Sequence, residues 1–196
     1  MKQTKIDWCD CTINPVVGCK HGCGYCYARK MNDRFGWIKD WCKPQFFPER
    51  LEQLKSKKSK SIFMDSMSDL AFYEDEWAKK TFSAMADNPQ HKYIYLTKNY
   101  AKSFSVYINN TSTPIVNCFI GESFCGGKYK HKLSPDGKSI FTPQFLSIEP
   151  LLAESDITEF TTRNNWACNN YGADKMVIIG AETGNRKGKI IPKKSG

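Results

Sequence analysis

The stretch GCKHGCGYCYARK, Gly18 to Lys30, places three thiols, Cys19, Cys23 and Cys26, within eight residues. Cysteine sulfur is a soft ligand that selects zinc, Cu(I) or iron-sulfur clusters. Gly18, Gly22 and Gly24 supply the backbone freedom to wrap a loop around such a centre. A structural zinc site wants four closed ligands, typically two CxxC-like pairs well apart. The spacing here is CxxxCxxC, which offers three. Three cysteines on a four-iron cluster leave one iron without protein ligation, which is useful when that iron must bind something else. The competing reading is a zinc knuckle completed by His21 or by another cysteine.

The rest of the composition sets bounds on this centre. A chain of 196 residues is long enough for one domain with a full core, and a single domain over 1–196 is expected. No apolar run approaches the ~20 residues needed to span a membrane, so a soluble protein without a membrane partner is expected. The N-terminus, MKQTKIDWCDC, lacks the apolar core of a secretory signal, which places the nine cysteines in a reducing cytoplasm. Cysteine clusters in that compartment bind metal or do chemistry. The formal charge of +9 points to an anionic partner such as nucleic acid, a nucleotide or another phosphate-bearing substrate. Much of that charge lies in KSKKSKS (55–61) and NRKGKIIPKKSG (185–196), runs that also read as solvated surface.

Six short apolar runs could position the loop: TINPVVG (12–18), SIFMDS (61–66), KYIYLTK (92–98), IVNCFIGES (115–123), QFLSIEP (144–150) and KMVIIGAE (175–182). Each reads as a buried strand. Helical spacing lies between several of them: Tyr27, Met31 and Phe35; Ala78, Thr81, Phe82 and Met85; Tyr100, Phe104, Tyr107 and Ile108. Alternation of this kind implies an α/β fold with a parallel sheet covered by helices, either a barrel or an open doubly wound sheet. Two places break the pattern. Pro15 makes the first strand irregular or an edge, and SPDG between KYKHKL and KSIF reads as a turn in a small hairpin where a crossover helix would stand.

In parallel sheets and barrels, ligands collect at the carboxyl ends of the strands. Those ends carry Gly18 and Cys19; Ser66, Ser68 and Asp69; Thr97 and Lys98; Glu122 and Ser123; Glu149; and Glu182 and Thr183. The cysteine loop follows the first strand, so it belongs to the same polar ring.

CKHGCGYC resembles the CxxxCxxC signature of the radical S-adenosylmethionine superfamily, including the aromatic Tyr25 before the third cysteine. TKIDWCDCTINPVVGCKHGCGYCYARKM, IFMDSMSDLAF, AMADNPQHKYIYLTKN, FLSIEPLL and MVIIGAETG are similar to a phage and bacterial radical-SAM-like family of phage proteins of unknown function. The resemblance implies a partial, TIM-like (β/α)6 barrel with parallel strands and the centre at their C-terminal face. It implies a 4Fe-4S cluster on Cys19, Cys23 and Cys26, with S-adenosylmethionine on the fourth iron. Reductive cleavage would give a 5'-deoxyadenosyl radical, with electrons from an external flavodoxin- or ferredoxin-like donor. A phage-encoded member would act in the host cytoplasm.

Superfamily logic places Ser66, Ser68 and Asp69 near the methionyl amine, Glu122 and Ser123 near the ribose or methionyl carboxylate, and the Tyr25 backbone against the adenine. Glu182, Glu149 and Lys98 could address cofactor or substrate. Cys125, in a Gly-Gly loop, is either an ordinary exposed thiol or a hydrogen-atom donor to a substrate radical. Asp69 and Glu149 also read as caps or loop anchors. Cys9, Cys11 and Cys42 read as ordinary thiols or as a second metal site, and Trp8, Trp37, Trp41 and Trp77 as core or as base-stacking rings. Were nucleic acid to bind, Lys98, Lys128, Lys130, Lys132 and Arg186 should meet phosphate. The family resembled is expected to continue beyond the sixth strand, whereas this chain ends at KKSG. The rival from another class is a non-catalytic zinc or iron-sulfur module that binds nucleic acid. A degenerate barrel that keeps its cluster for redox sensing is a third reading.

Overall fold

A computed structural model describes residue 4 and residues 6–130, 132–133, 140–141, 143–150, 152–162 and 176–179. The chain divides into two compact units, Met1–Phe119 and Ile120–Gly196.

In the first unit, strands β1 (Cys11–Ile13) and β2 (Val16–Val17) precede helix α1 (Tyr27–Phe35). Strand β3 (Gln45–Phe46), a 3-10 helix (Pro48–Lys55) and β4 (Ser61–Met64) follow. Next come a 3-10 turn (Leu70–Phe72), α2 (Asp75–Ala86), β5 (Lys92–Thr97) and α3 (Tyr100–Asn109). Strand β6 (Cys118–Phe124) leads into the second unit. There β7 (Gly127–Lys128), β8 (Lys132–Leu133), β9 (Ile140–Phe141), β10 (Phe145–Ile148), β11 (Ser155–Asp156), α4 (Thr158–Thr162) and β12 (Met176–Ile179) follow.

All six apolar runs enter one parallel sheet, in the order β1-β4-β5-β6-β10-β12. The fold is mixed α/β around this sheet. Ile62, Phe63 and Met64 of β4 are all buried, which is why that strand is apolar at successive rather than alternate positions. Parallel register sets Phe63 opposite both Thr12 and Ile94. Pro15 acts as expected. The first run splits at Asn14 and Pro15; β1 stays at the sheet edge, while Val16 and Val17 turn away to pair antiparallel with β3. Proline has no N–H for a ladder, and its carbonyl accepts from Phe47 N–H at 2.7 Å.

Among the described residues between β6 and β10 there is no helix. The antiparallel pair β8 and β9 flanks the SPDG segment, which itself lies outside the described residues. Helix α2 buries Ala78, Thr81, Phe82 and Met85, the face that its spacing predicts. Helix α1 departs from expectation: Tyr27 and Phe35 are more than half exposed, and the buried side chains are Ala28 and Asn32. The cause lies in Asn32, whose amide donates to Ile38 C=O at 2.9 Å and accepts from Ile38 N–H at 3.0 Å. That closure turns the small and amide side chains inward, against a core cluster of Val17, Ile38, Trp41 and Met67. Burial of each large apolar side chain in such a cluster contributes roughly 1.5–3 kcal/mol. Among the described residues, no helix is long and apolar enough to cross a membrane.

Candidate metal centre

The cysteine loop is rooted by its first glycine. Gly18 has φ of +113°, and a Cβ there would lie 2.8 Å from Pro44 Cα and 2.9 Å from Ile38 Cδ1, so only glycine fits. Its N–H donates to Met67 C=O at 3.0 Å, and its own carbonyl accepts from Ser68 Oγ at 2.8 Å. Cys19 N–H donates to Trp41 C=O at 2.9 Å. At its far end the loop becomes α1, where Cys26 is the N-cap and its sulfur accepts from Arg29 N–H at 3.4 Å. Cys19 and Cys26 both pack against the cluster beneath the loop.

A buried carboxylate ties the middle of the loop to two neighbouring strand ends. Asp69 is 4% exposed, and a charge so buried needs donors. His21 Nε2 donates to its Oδ2 at 2.8 Å, as does Lys98 N–H at 2.9 Å. Thr97 Oγ1 at 2.7 Å and Ala71 N–H at 2.9 Å serve Oδ1. Burial pushes the Asp69 carboxyl up, but the His21, Lys98, Thr97 and Ala71 hydrogen bonds together hold it below the usual aspartate range. Ser103 Oγ donates to Thr97 Oγ1 at 2.7 Å behind this group. The His21 ring meets Phe72 edge-on at 4.7 Å. Lys98 Nζ stands 5.1 Å over the Tyr25 ring and Lys102 Nζ 5.5 Å over Phe72.

The three strand ends expected at the site in this unit therefore do converge. Ser68 and Asp69 each bond to the loop, through Gly18 C=O and His21 Nε2. Ser66 Oγ donates to Asn14 Oδ1 at 3.1 Å, and the Ser66 carbonyl accepts from Tyr27 OH at 2.6 Å. His21, named from the sequence only as a possible fourth zinc ligand, joins the site through Asp69. Its partner lies 48 positions away, so no local pattern announces the pair.

The thiols of Cys19, Cys23 and Cys26 share one loop. Burial pushes Cys19 up to about 12; the His21 N–H works against this, and the charges of Asp69, Cys26 and Cys23 add to it. As donors the three match a soft metal centre, since all are partly exposed on a loop with room beside Gly22 and Gly24. Among the described residues, however, no three His, Cys, Asp or Glu side chains stand gathered as a ligand set. Cys9 and Cys11 are buried and Cys42 is exposed; burial pushes Cys9 up to about 11.

The second unit carries the other expected residues. Glu122 is buried and accepts from Tyr129 OH at 3.0 Å. Ser123 Oγ lies 3.5 Å from Glu149 C=O, and Glu149 Oε2 accepts from Ser147 Oγ at 3.1 Å. Cys125 is half-buried, and its carbonyl accepts from Leu152 N–H at 2.9 Å. Lys128 and Lys130 are exposed. Glu182, Thr183 and Arg186 lie outside the described residues, as does the Lys132 side chain.

A family model described as "Protein of unknown function (DUF5131)" matches residues 3–194. The chain belongs to the DUF5131 family. No curated protein and no solved structure matches it. In this DUF5131 chain the cysteine loop, His21 and Asp69 all fall within the matched span, so the geometry above belongs to the family domain and not to an appended segment.

Proposed function

We propose that this DUF5131 protein is a radical S-adenosylmethionine enzyme in which Cys19, Cys23 and Cys26 hold a 4Fe-4S cluster and the parallel sheet is a partial (β/α)6 barrel. The observation that carries the reading is the placement of CxxxCxxC. Its loop leaves the first strand and is fastened to the carboxyl ends of β4 and β5 through Met67, Ser68 and Asp69. Held by Cys19, Cys23 and Cys26, such a cluster would supply one-electron chemistry for the reductive cleavage of S-adenosylmethionine.

This chain's own residues supply position. Asp69 holds His21 and the backbone at Lys98, fixing the loop against β5. Gly22 and Gly24 leave space for an approaching ligand. The Tyr25 backbone meets the adenine, and Ser66 and Ser68 retain acceptor lone pairs for the methionyl amine. Glu122 and Ser123 are assigned to the cofactor, and Glu149, Cys125 and Lys98 to the substrate. Lys98 and Lys102, beside the loop, favour an anionic substrate of the nucleic-acid or nucleotide class. Electrons come from an external flavodoxin- or ferredoxin-like donor in a reducing cytoplasm.

One observation favours a second reading, a zinc module. Metal-bound histidines commonly give their other ring nitrogen to a carboxylate, and His21 Nε2 is held by Asp69, which leaves Nδ1 to complete a Cys3His set. Metal analysis separates the two. Anaerobic reconstitution should yield about four irons per chain with an iron-sulfur charge-transfer band, and Cys23→Ala should lose both. A stoichiometric zinc ion with no iron uptake would replace the first reading by the second.

A further inference from the structure

The cysteine loop does not use a pocket of about 240 Å³ at the broken first strand, lined by Thr12, Asn14, Trp37, Arg50, Gln53 and Met67 among others. Arg50 is the unusual member. Its guanidinium is half-buried, stacks 4.3 Å over the Phe47 ring and gives one Nη1 hydrogen bond to Asn14 C=O at 2.8 Å. No described carboxylate stands within ion-pair distance; Glu49 acts on it only from further away. A partly desolvated cation without a counter-charge is costly, and a bound anion would relieve it.

The surrounding donors point the same way. In a 3-10 helix, side chains three apart eclipse, which sets Gln53 beside Arg50. Asn14 Oδ1 is fixed by Met67 N–H at 2.9 Å, so its Nδ2 is left with donors that no described residue takes. Thr12 also lines the pocket. Trp37, Val17, Ile13 and Met67 supply an apolar wall. Among the described residues that line the cavity, Arg50 is the one cation. A monoanion is neutralised there, whereas a phosphate dianion leaves a charge uncompensated.

We infer that this pocket binds a small organic carboxylate, its carboxylate on Arg50 with Gln53 and Asn14, and its apolar body against Trp37 and Met67. The inference goes beyond the proposed function and stands whether or not the cysteines hold a cluster.

The test is an NMR titration of the full chain, as isolated and after reconstitution. The Trp37 indole N–H, assigned with Trp37→Phe, is followed against benzoate, its neutral isostere benzamide, and inorganic phosphate. Benzoate should give a saturable shift with Kd on the order of 1 mM, with benzamide and phosphate at least about tenfold weaker. Arg50→Gln should weaken benzoate by about tenfold or more. Gln53→Glu, an exposed position, puts a carboxylate within reach of Arg50 and should abolish binding with the thermal midpoint retained. No saturable benzoate shift, equal binding of benzamide or phosphate, or a folded Gln53→Glu protein that still binds benzoate would each overturn the inference. Loss of iron binding with benzoate binding intact would contradict the proposed function alone.

Discussion

Asp65 follows the last residue of β4 with φ of +62°, a conformation that costs a non-glycine residue of order 1–3 kcal/mol. Its carboxyl is buried and accepts from Tyr73 OH. Burial pushes it up to about 8, only partly offset by the Tyr73 and Val16 hydrogen bonds. The folded protein therefore holds this proton more tightly than the unfolded chain, whose aspartates titrate near 4 (~3.9). The stability it contributes is fully present below that value and is lost as pH rises through about 8. Asp65→Asn should flatten this slope, so that the variant gains on the wild type between pH 5 and pH 8 (approximate bounds); urea melts across that range read it directly.

Asp69 is the opposite case, since its stability contribution is present above the unfolded value and lost as pH falls through its lowered folded one. Asp69→Asn keeps the size but loses the charge, and it places an amide against four donors. A loss of about 1–3 kcal/mol is expected, or roughly 2–4 °C per kcal/mol for a chain of this size. Faster alkylation of Cys19, Cys23 and Cys26 by iodoacetamide should accompany it. Unchanged thiol reactivity would mean that Asp69 does not hold the loop.

At the scale of elements, the loop's geometry rests on Gly18. Gly18→Ala forces a methyl group to within 2.8 Å of Pro44 backbone at φ +113°. Strain of ~1–3 kcal/mol plus the clash should appear as a lower denaturation midpoint. Gly24→Ala, with open space around its Cβ, should be close to neutral. The contrast between the two glycines was not legible from sequence, because both sit in the same CxxxCxxC segment and only the neighbouring chain distinguishes them. The six strands were legible, because burial on both faces writes an unbroken apolar run such as Ile62 to Met64. Pro15 likewise marked the break between β1 and β2. Periodicity marked α1 as a helix but not which face turns inward; that depends on the Asn32 amide reaching Ile38, which has no hydrophobic signature. The His21 and Asp69 pair, and the placement of Arg50 at its pocket, are likewise products of the tertiary fold.

At the scale of the whole molecule, the proposal draws on the parallel sheet, the cysteine loop at the carboxyl ends of β4 and β5, and the basic composition. The net charge of +9 should also make any binding to a nucleic acid weaken steeply with salt. Fluorescence anisotropy with a short labelled oligonucleotide at two salt concentrations measures that slope, and a flat response would remove nucleic acid from the substrate classes. The proposal itself turns on what the reconstituted protein does with its cosubstrate. Reconstituted under anaerobic conditions and reduced with dithionite, the full chain should convert S-adenosylmethionine into 5'-deoxyadenosine and methionine, quantified by liquid chromatography and mass spectrometry. The Cys23→Ala variant treated in parallel should form neither. Folded wild-type protein that carries its full complement of iron yet forms no more 5'-deoxyadenosine than the variant would contradict a radical S-adenosylmethionine enzyme.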